Sequence, residues 1–262
     1  MMRLPIYQVD AFADRVFGGN PAAVCPLETW LPDATLQGIA AENNLSETAF
    51  FVREGSDYAL RWFTPSVEVD LCGHATLASG HVIMRFLEPQ RPSVRFHTPK
   101  AGTLVVSRRG DTLVMDFPAR PAVPVPAPPG LFAALGGAPR EVQRARDHLV
   151  VYGSAAEIAA LAPDLAALAK VDCWAVIVTA PGHNGVDFVS RFFAPAQGVA
   201  EDPATGSAHC TLVPYWAKRL GKTEFEARQL SRRGGALSCA LDGDRVSIAG
   251  RAVLYLEGRI EV

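Results

Sequence analysis

The sequence lacks the motifs that most directly identify an enzyme class. Its 262 residues contain no GxSxG, HExxH or GxGxxG pattern, which are the signatures of serine hydrolases, zincins and dinucleotide enzymes. The only phosphate-loop-like stretch, LGKT at Leu220 to Thr223, has Trp216 where the first glycine of the loop is needed. Serine hydrolase, zincin, dinucleotide-enzyme and NTPase functions therefore lose support.

The chain also lacks an excess of charge of either sign. Its net charge is -2 at pH 7, and acidic and basic residues are scattered along it. Nucleic-acid binding requires a basic footprint that such a distribution does not provide. We therefore expect small molecules, and not nucleic acids, as partners.

Cysteine is sparse and unpaired in the sequence. The five cysteines form no CxxC pair, and an odd number over a chain of this length does not suggest a disulfide framework. They are predicted to be reduced thiols in the cytoplasm: Cys25, Cys72, Cys173, Cys210 and Cys239.

Long apolar runs are missing as well. The most apolar stretch, from Ala155 to Pro181, is interrupted by four charged residues, and the N-terminal segment MMRLPIYQVDAF has no apolar core or cleavage site of a signal peptide. We expect a soluble, unexported protein with no membrane partner.

What is present is a repeat on either side of a proline-rich linker. The segment VPVPAPPG, Val123 to Gly130, lies near the midpoint and favours an extended linker. It predicts two domains, 1–122 and 123–262, and leaves open whether the last strand returns to the first domain. RWFTP at Arg61 to Pro65 and RFFAP at Arg191 to Pro195 each follow a strand-like run, and each precedes a helix rich in small residues. This order predicts a duplication.

The two helices of the repeat indicate the fold class. The first, from Cys72, has almost no polar stripe, so it is predicted to be buried on all sides; the second starts at Thr205. Short segments rich in β-branched and aromatic residues surround both. The prediction is an α+β protein of two pseudo-symmetric domains, each a mostly antiparallel sheet wrapped around a central helix. Further helices are predicted over Pro32 to Asn44, with Asp33 as N-cap, and over Ala155 to Lys170.

The starts of the repeated helices combine glycine with acid and base groups. Gly73 and Gly206 leave the first N–H groups accessible to an anion, and the alternative is a tight helix entry in a packed interior. Functional side chains next to them are His74, Asp202, Ser207 and His209. Cys72, His74 and His81 could also share a helix face with His209 and Cys210 as metal ligands, but their spacing matches no closed zinc pattern, and no metal is predicted.

Four motifs resemble a known family. VDAFADRVFGGNPAAVC, AAENNLSETAFFV, DLCGHATLASGHV and EDPATGSAHCTL occur in this order and are similar to those of the PhzF-like (phenazine biosynthesis PhzF) family, within the diaminopimelate-epimerase-like fold. The resemblance implies two β-barrels, each around a central helix, with the active site between them. It also implies cofactor-independent isomerase chemistry by proton transfer on a small carboxylate-bearing substrate, and a homodimer.

The resemblance also assigns roles to residues. Glu47 of LSETAFF corresponds to the general acid/base, and an apolar setting beside Leu45, Ala49 and Phe51 would raise its pKa toward neutrality. Without the family, a solvent-facing strand-end glutamate is the simpler interpretation. Residues that are implied to assist proton movement or bind substrate are His74, Asp202, Ser207, Asn20, Gly73, Thr205 and Gly206. Asp202 could instead cap a turn, and Asn20 could lie in a tight turn.

One departure from related enzymes limits the chemistry. Epimerases and proline racemases of this fold use a cysteine at each helix start, whereas here Cys72 is matched by Thr205. Racemisation by two thiols is therefore disfavoured. Two other functions remain open: a non-catalytic binder of small anions, and a lyase or hydrolase with the same acid/base residues.

Overall fold

The computed structural model describes residues 2–262 and divides into two compact units. The first unit comprises Met1–Asp116 together with Ala249–Val262, and the second comprises Phe117–Ile248. The boundary lies shortly before the proline-rich segment that predicted it. The C-terminal strand belongs to the first unit, where it pairs antiparallel with the N-terminal strand from Arg3↔Glu261 to Ala11↔Ala252.

Strands account for most of the regular structure. They are β1 (Arg3–Ala11), β2 (Asn20–Leu27), β3 (Glu47–Glu54), β4 (Asp57–Phe63), β5 (Glu68–Val69), β6 (Ser93–Thr98), β7 (Gly102–Arg109), β8 (Thr112–Pro118), β9 (Val123–Pro124), β10 (Glu141–Arg144), β11 (His148–Val151), β12 (Val176–Pro181), β13 (Phe188–Ala194), β14 (Val199–Asp202), β15 (Glu224–Gln229), β16 (Gly235–Asp242), β17 (Arg245–Gly250) and β18 (Ala252–Glu261).

Helices are fewer, and most are short. They are α1 (Asp33–Asn43), α2 (Gly73–Val82), α3 (Leu131–Leu135), α4 (Ala155–Ala160), α5 (Leu165–Leu168) and α6 (Gly206–Leu220). A π-helical turn, Ile83–Leu87, extends α2, and a 3-10 turn covers Pro195–Gln197.

Strand pairing confirms the duplication. In the first unit, β1–β2 is antiparallel, β2–β3 parallel, β3–β4 and β4–β5 antiparallel, β4–β6 parallel and β6–β7 antiparallel. The second unit has the same series over β10–β11, β11–β12, β12–β13, β13–β14, β13–β15 and β15–β16. The long helices α2 and α6 follow β5 and β14 at equivalent places. The α+β fold of two similar halves is therefore confirmed.

The arginines of the repeated motif make the same contact in each unit. Arg61 binds both carboxylate oxygens of Glu68 at 2.7 Å, and Arg191 binds both oxygens of Glu201 at 2.7 and 3.0 Å. Planar fork-to-fork pairs of this kind fix geometry as well as adding energy. Each pair therefore ties the repeated strand to the short strand, β5 or β14, that precedes the long helix.

Helix α2 is buried as its composition predicts. All of its residues from His74 to Val82 are buried except His81, and it packs against β1, β2, β3, β7 and β18. The hydroxyls of Thr76 and Ser79 donate to the carbonyls of Cys72 and Ala75 one turn back, which satisfies them in an apolar interior. Sheet therefore surrounds the helix in the first unit.

Gly80 allows α2 to approach β7 closely, and its replacement should destabilise the protein. A Cβ at Gly80 would lie 2.7 Å from Val106 Cγ1 and 2.9 Å from Val106 Cβ. We expect Gly80→Ala to lower the free energy of unfolding by about 1–3 kcal/mol, as overpacking does. Urea denaturation measures this change.

Gly38 supplies the matched control for that variant. It is a helical glycine of α1 on the surface, and a Cβ there meets nothing within 4 Å. Gly38→Ala should stabilise the protein by about 0.5–1 kcal/mol through helix propensity alone. Stabilisation of both variants would show that Gly80 is not needed for packing.

Two helix predictions are wrong in detail. Asp33 is not the N-cap of α1, because Pro32 occupies that position and the Asp33 carboxylate accepts from Arg61 at 2.9 Å. The predicted helix from Ala155 to Lys170 is split into α4 and α5. Pro163 lies between them, and proline disfavours helical conformation in the residue before it. Asp164 then caps α5 by accepting from the N–H of Ala167.

All five cysteines are free thiols, as predicted. Within residues 2–262, no helix has both the length and the apolar character needed to cross a membrane.

Candidate functional site

The first group of predicted site residues lies at one edge of the first unit's sheet. Strands β2 and β3 run parallel with Ala22 opposite Glu47, so Asn20 and Glu47 both lie at the edge where these strands begin. Glu47 is half-buried, and alternation places Ala49 and Phe51 on its face of β3. Leu45 was predicted to share that face but precedes the strand and packs with the cluster that contains Phe50.

His74 connects the two strand starts. Its Nδ1 lies 3.1 Å from Asn20 Nδ2, and its Nε2 lies 3.2 Å from Glu47 Oε2. An amide nitrogen can only donate, so Nδ1 accepts and the ring hydrogen is on Nε2. Nε2 therefore faces the Glu47 carboxylate within ion-pair distance, and the Asn20 amide favours the tautomer with the ring hydrogen on Nε2.

The environment of His74 keeps the ring neutral. The side chain is buried, and burial lowers its pKa to about 3, which a hydrogen bond to the backbone of Pro21 opposes only in part. A neutral imidazole can donate one hydrogen bond but holds a second proton poorly near pH 7. The ring of His74 is therefore uncharged near pH 7.

Cys72 completes this group. It is the N-cap residue of α2 and is buried, and its Sγ lies 3.4 Å from His74 Nδ1 and 4.0 Å from His74 Nε2. Gly73 follows as the first helical residue, where N–H groups have no partner within the helix. The sequence analysis grouped Cys72 with His74 but did not predict that a Glu47 oxygen would lie within 4.8 Å of both.

His81 does not join this cluster. It lies in the last turn of α2, seven residues after His74, which is about 10 Å along a helix axis. Burial, followed by the charges of Arg85 and Arg108, lowers its pKa to about 4. The possibility that Cys72, His74 and His81 share one metal site is therefore wrong.

A strained loop precedes Asn20. Phe17 has a positive φ of 68°, and its N–H donates to the carboxylate of buried Asp10 at 2.8 Å. Gly19 has φ +58°, and a Cβ there would lie 2.0 Å from the Ala11 carbonyl oxygen. The loop thus holds Asn20 close to the end of β1, which fits the prediction of a tight turn and does not remove the contact with His74.

The second group lies at the start of α6, in the second unit. The Thr205 hydroxyl donates to the Asp202 carboxylate. Buried Gln229 accepts from the Thr205 N–H at 2.8 Å and donates to the Asp202 carbonyl at 2.7 Å and to Thr205 Oγ1 at 3.0 Å. Gln229, at the end of β15, therefore satisfies the N–H group of the N-cap residue Thr205 from outside the helix. The sequence analysis missed it, because nothing in the local sequence relates it to Thr205.

The remaining residues of this motif divide into two kinds. Gly206 and half-buried Ser207 form the first turn of α6. His209 is fully buried and donates from Nδ1 to the Thr205 carbonyl at 2.9 Å, and burial lowers its pKa to about 4. His209 is thus a packing residue that anchors the N-cap. Each unit brings its own four predicted residues together: Asn20, Glu47, Gly73 and His74 in the first, and Asp202, Thr205, Gly206 and Ser207 in the second.

Comparison with known proteins agrees with these motifs. The model of the family described as phenazine biosynthesis-like protein matches residues 9–258. An uncharacterized isomerase of Pseudomonas aeruginosa is 56% identical over 261 residues, covering 100% of both chains. The human phenazine biosynthesis-like domain-containing protein is 40% identical over 287 residues, covering 99% of each.

Solved structures support the same assignment. A crystal structure of a PhzF family phenazine biosynthesis protein from Enterococcus faecalis has a TM-score of 0.97 at 47% identity, with 100% of both chains covered. A hydroxyproline epimerase from Agrobacterium vitis, at 11% identity and a TM-score of 0.59, shares the fold. With a family match over almost its whole length, this chain belongs to the phenazine biosynthesis-like (PhzF) protein family.

Proposed function

We propose that the protein is a cofactor-independent isomerase that moves a proton within a small carboxylate-bearing metabolite. The observation that carries the proposal is the Glu47 carboxylate, held 3.2 Å from the neutral ring of His74 beside the start of a buried helix. Relatives that are 56% and 53% identical carry the name isomerase, which supports the same reaction type here.

Glu47 acts as both base and acid in this mechanism. The carboxylate removes a proton from one carbon of the substrate and returns it to another, so no net proton is consumed. Because the pKa of His74 is lowered to about 3, the ring does not take that proton, and it remains available for return. The close contact with His74 Nε2 at 3.2 Å also orients the carboxylate, as positioning of a general base requires.

The anion-binding role belongs to the starts of the long helices. Unpaired N–H groups and the helix dipole at Gly73 favour a negatively charged ligand, and α6 begins in the same manner at Gly206. We propose that Asp202 and Ser207 contact the polar groups of the same substrate. Family membership supports this assignment, together with the hydrogen bonds from Thr205 and Gln229 that fix the Asp202 segment.

Asp202→Asn should test the role of the second group. Loss of one charged hydrogen-bonding group to substrate costs about 1.5–3 kcal/mol, so we expect kcat/KM to fall roughly 10–100-fold while the melting temperature changes little. Asp242→Asn, at an exposed position of the same unit, is the control and should retain full activity. If Asp202→Asn lowered only the melting temperature, the residue would be a structural cap.

Proton NMR in D₂O tests the reaction itself. The wild-type protein is incubated with a panel of small amino and hydroxy acids that includes trans-2,3-dihydro-3-hydroxyanthranilate. We expect deuterium incorporation, or a positional isomer with the same molecular formula apart from deuterium, in at least one compound. Saturable binding without exchange would favour the anion-binder hypothesis, and a product whose molecular formula differs by more than deuterium would favour a lyase or hydrolase.

We also propose that the protein is a homodimer, as the family resemblance implies. The chain has a mass of 28.0 kDa, so light scattering coupled to gel filtration should give about twice this value. A monomer mass across the concentration range used for activity would contradict the proposal.

A further inference from the structure

Three side chains of the first unit form a donor set that differs from a simple acid/base pair. Glu47, Cys72 and His74 each bring one ligand atom to a common region, and these atoms lie within 4.8 Å of one another. Cys72 and His74 are buried, whereas Glu47 is half-buried. Glu47 is therefore the most exposed member of the cluster.

We propose that Glu47, Cys72 and His74 form a binding site for a thiophilic divalent cation of the Zn²⁺ type, and that an ion bound there blocks proton transfer by Glu47. The first part rests on the cluster alone, and the second part rests on the proposed function. The ion would be an inhibitor of the reaction and not a participant in it.

The separations of the ligand atoms suit tetrahedral coordination. With Zn–N and Zn–O bonds of about 2.0–2.2 Å, a tetrahedral N···O pair is about 3.3 Å apart, and His74 Nε2 lies 3.2 Å from Glu47 Oε2. A Zn–S bond of about 2.3 Å gives an N···S pair about 3.6 Å apart, against 4.0 Å between Nε2 and Cys72 Sγ. Coordination therefore requires Cys72 Sγ to approach Nε2 by about 0.4 Å.

The charges and protons of the cluster balance on binding. Thiolate and carboxylate together offset the 2+ charge, while the imidazole contributes a lone pair and no charge. The thiol gives up its proton to the buffer as the Zn–S bond forms. The ring hydrogen of His74 moves from Nε2 to Nδ1, where the Asn20 amide accepts it after turning its oxygen toward the ring. Such a second partner is typical of a metal-binding histidine.

The donor set selects among cations. Only one of the three groups is an oxygen ligand, whereas Mg²⁺ and Ca²⁺ require six or more oxygens. Thiolate and imidazole favour Zn²⁺ and related transition-metal ions. Three protein ligands leave the fourth position open to water or to a substrate carboxylate.

Cobalt provides the direct readout, because Co²⁺ bound to a thiolate absorbs in the near ultraviolet. We expect the purified wild-type protein to develop this charge-transfer band with 1:1 stoichiometry and to lose it when Zn²⁺ is added. Cys72→Ser should abolish the band. It should also weaken Zn²⁺ binding by more than the roughly 10–100-fold that is lost when a residue that only hydrogen-bonds a metal ligand is replaced. Glu47→Gln should weaken binding while retaining the thiolate band.

Cys173→Ser is the matched control, since Cys173 is a partly buried free cysteine of the second unit, and it should behave as wild type. Cys72→Ala serves if the serine variant does not fold. Absence of a saturable band in wild type, or its survival in the folded Cys72 variants, would overturn the site. These measurements need no substrate, so they stand even if the isomerase proposal fails.

Inhibition by the bound ion is tested separately. If wild type catalyses deuterium exchange, Zn²⁺ should stop the exchange and a chelator should restore it. Unaffected exchange at saturating Zn²⁺ would refute the proposal that the bound ion inhibits proton transfer.

Discussion

Glu47→Gln should reduce turnover by roughly 10²–10⁴-fold, the usual contribution of a positioned general acid/base. The amide has the shape of the carboxyl group but neither takes nor returns a proton. It can occupy the same position beside His74 Nε2, so the group around it should remain in place. Deuterium exchange in D₂O, followed for wild type and variant on the same substrate, measures this loss.

The same variant should leave the fold intact. We expect its free energy of unfolding to lie within about 1 kcal/mol of wild type, because no cavity and no unpaired buried charge is created. Glu54→Gln is the matched control, since Glu54 ends the same strand at an exposed position, and it should keep full activity. Unchanged exchange by folded Glu47→Gln would remove Glu47 from the mechanism.

Gly19→Ala should produce the largest loss of stability, at least about 3 kcal/mol, with a melting temperature lower by about 6–12 °C. Two costs add. A left-handed conformation at φ +58° costs alanine about 1–2 kcal/mol. Its Cβ would also lie 2.0 Å from the Ala11 carbonyl oxygen and 2.9 Å from Ala13 Cβ, so the backbone must move.

That movement should affect the site as well as the stability. Gly19 adjoins Asn20, whose amide sets the tautomer of His74, so turnover should fall even at temperatures where the variant is folded. Gly55→Ala separates the two costs, because Gly55 has φ +63° but meets nothing within 4 Å. It should lose only about 1 kcal/mol and no activity. Equal effects of the two variants would show that the contact with Ala11 is unimportant.

The repeat was readable from sequence because the same physical need arises twice. A buried helix requires small and apolar residues on every side, and a strand that ends in an Arg-aromatic-Phe motif requires a carboxylate partner for the arginine. Arg61 with Glu68 and Arg191 with Glu201 meet that need in the same manner. Helix boundaries were less readable. Pro163 lies at the break in the predicted helix from Ala155 to Lys170, and Pro32, not Asp33, is the N-cap of α1.

The sequence by itself determined the family, the α+β duplication and the identity of the residues in each motif, because these depend on local pattern and on the order of segments. Only the tertiary structure decided which of them touch. Parallel pairing of β2 and β3 places Asn20 and Glu47 at one edge, burial keeps His74 neutral, and Gln229 reaches Thr205 from a distant strand. Such contacts arise from long-range packing in three dimensions, and no spacing along the chain encodes them.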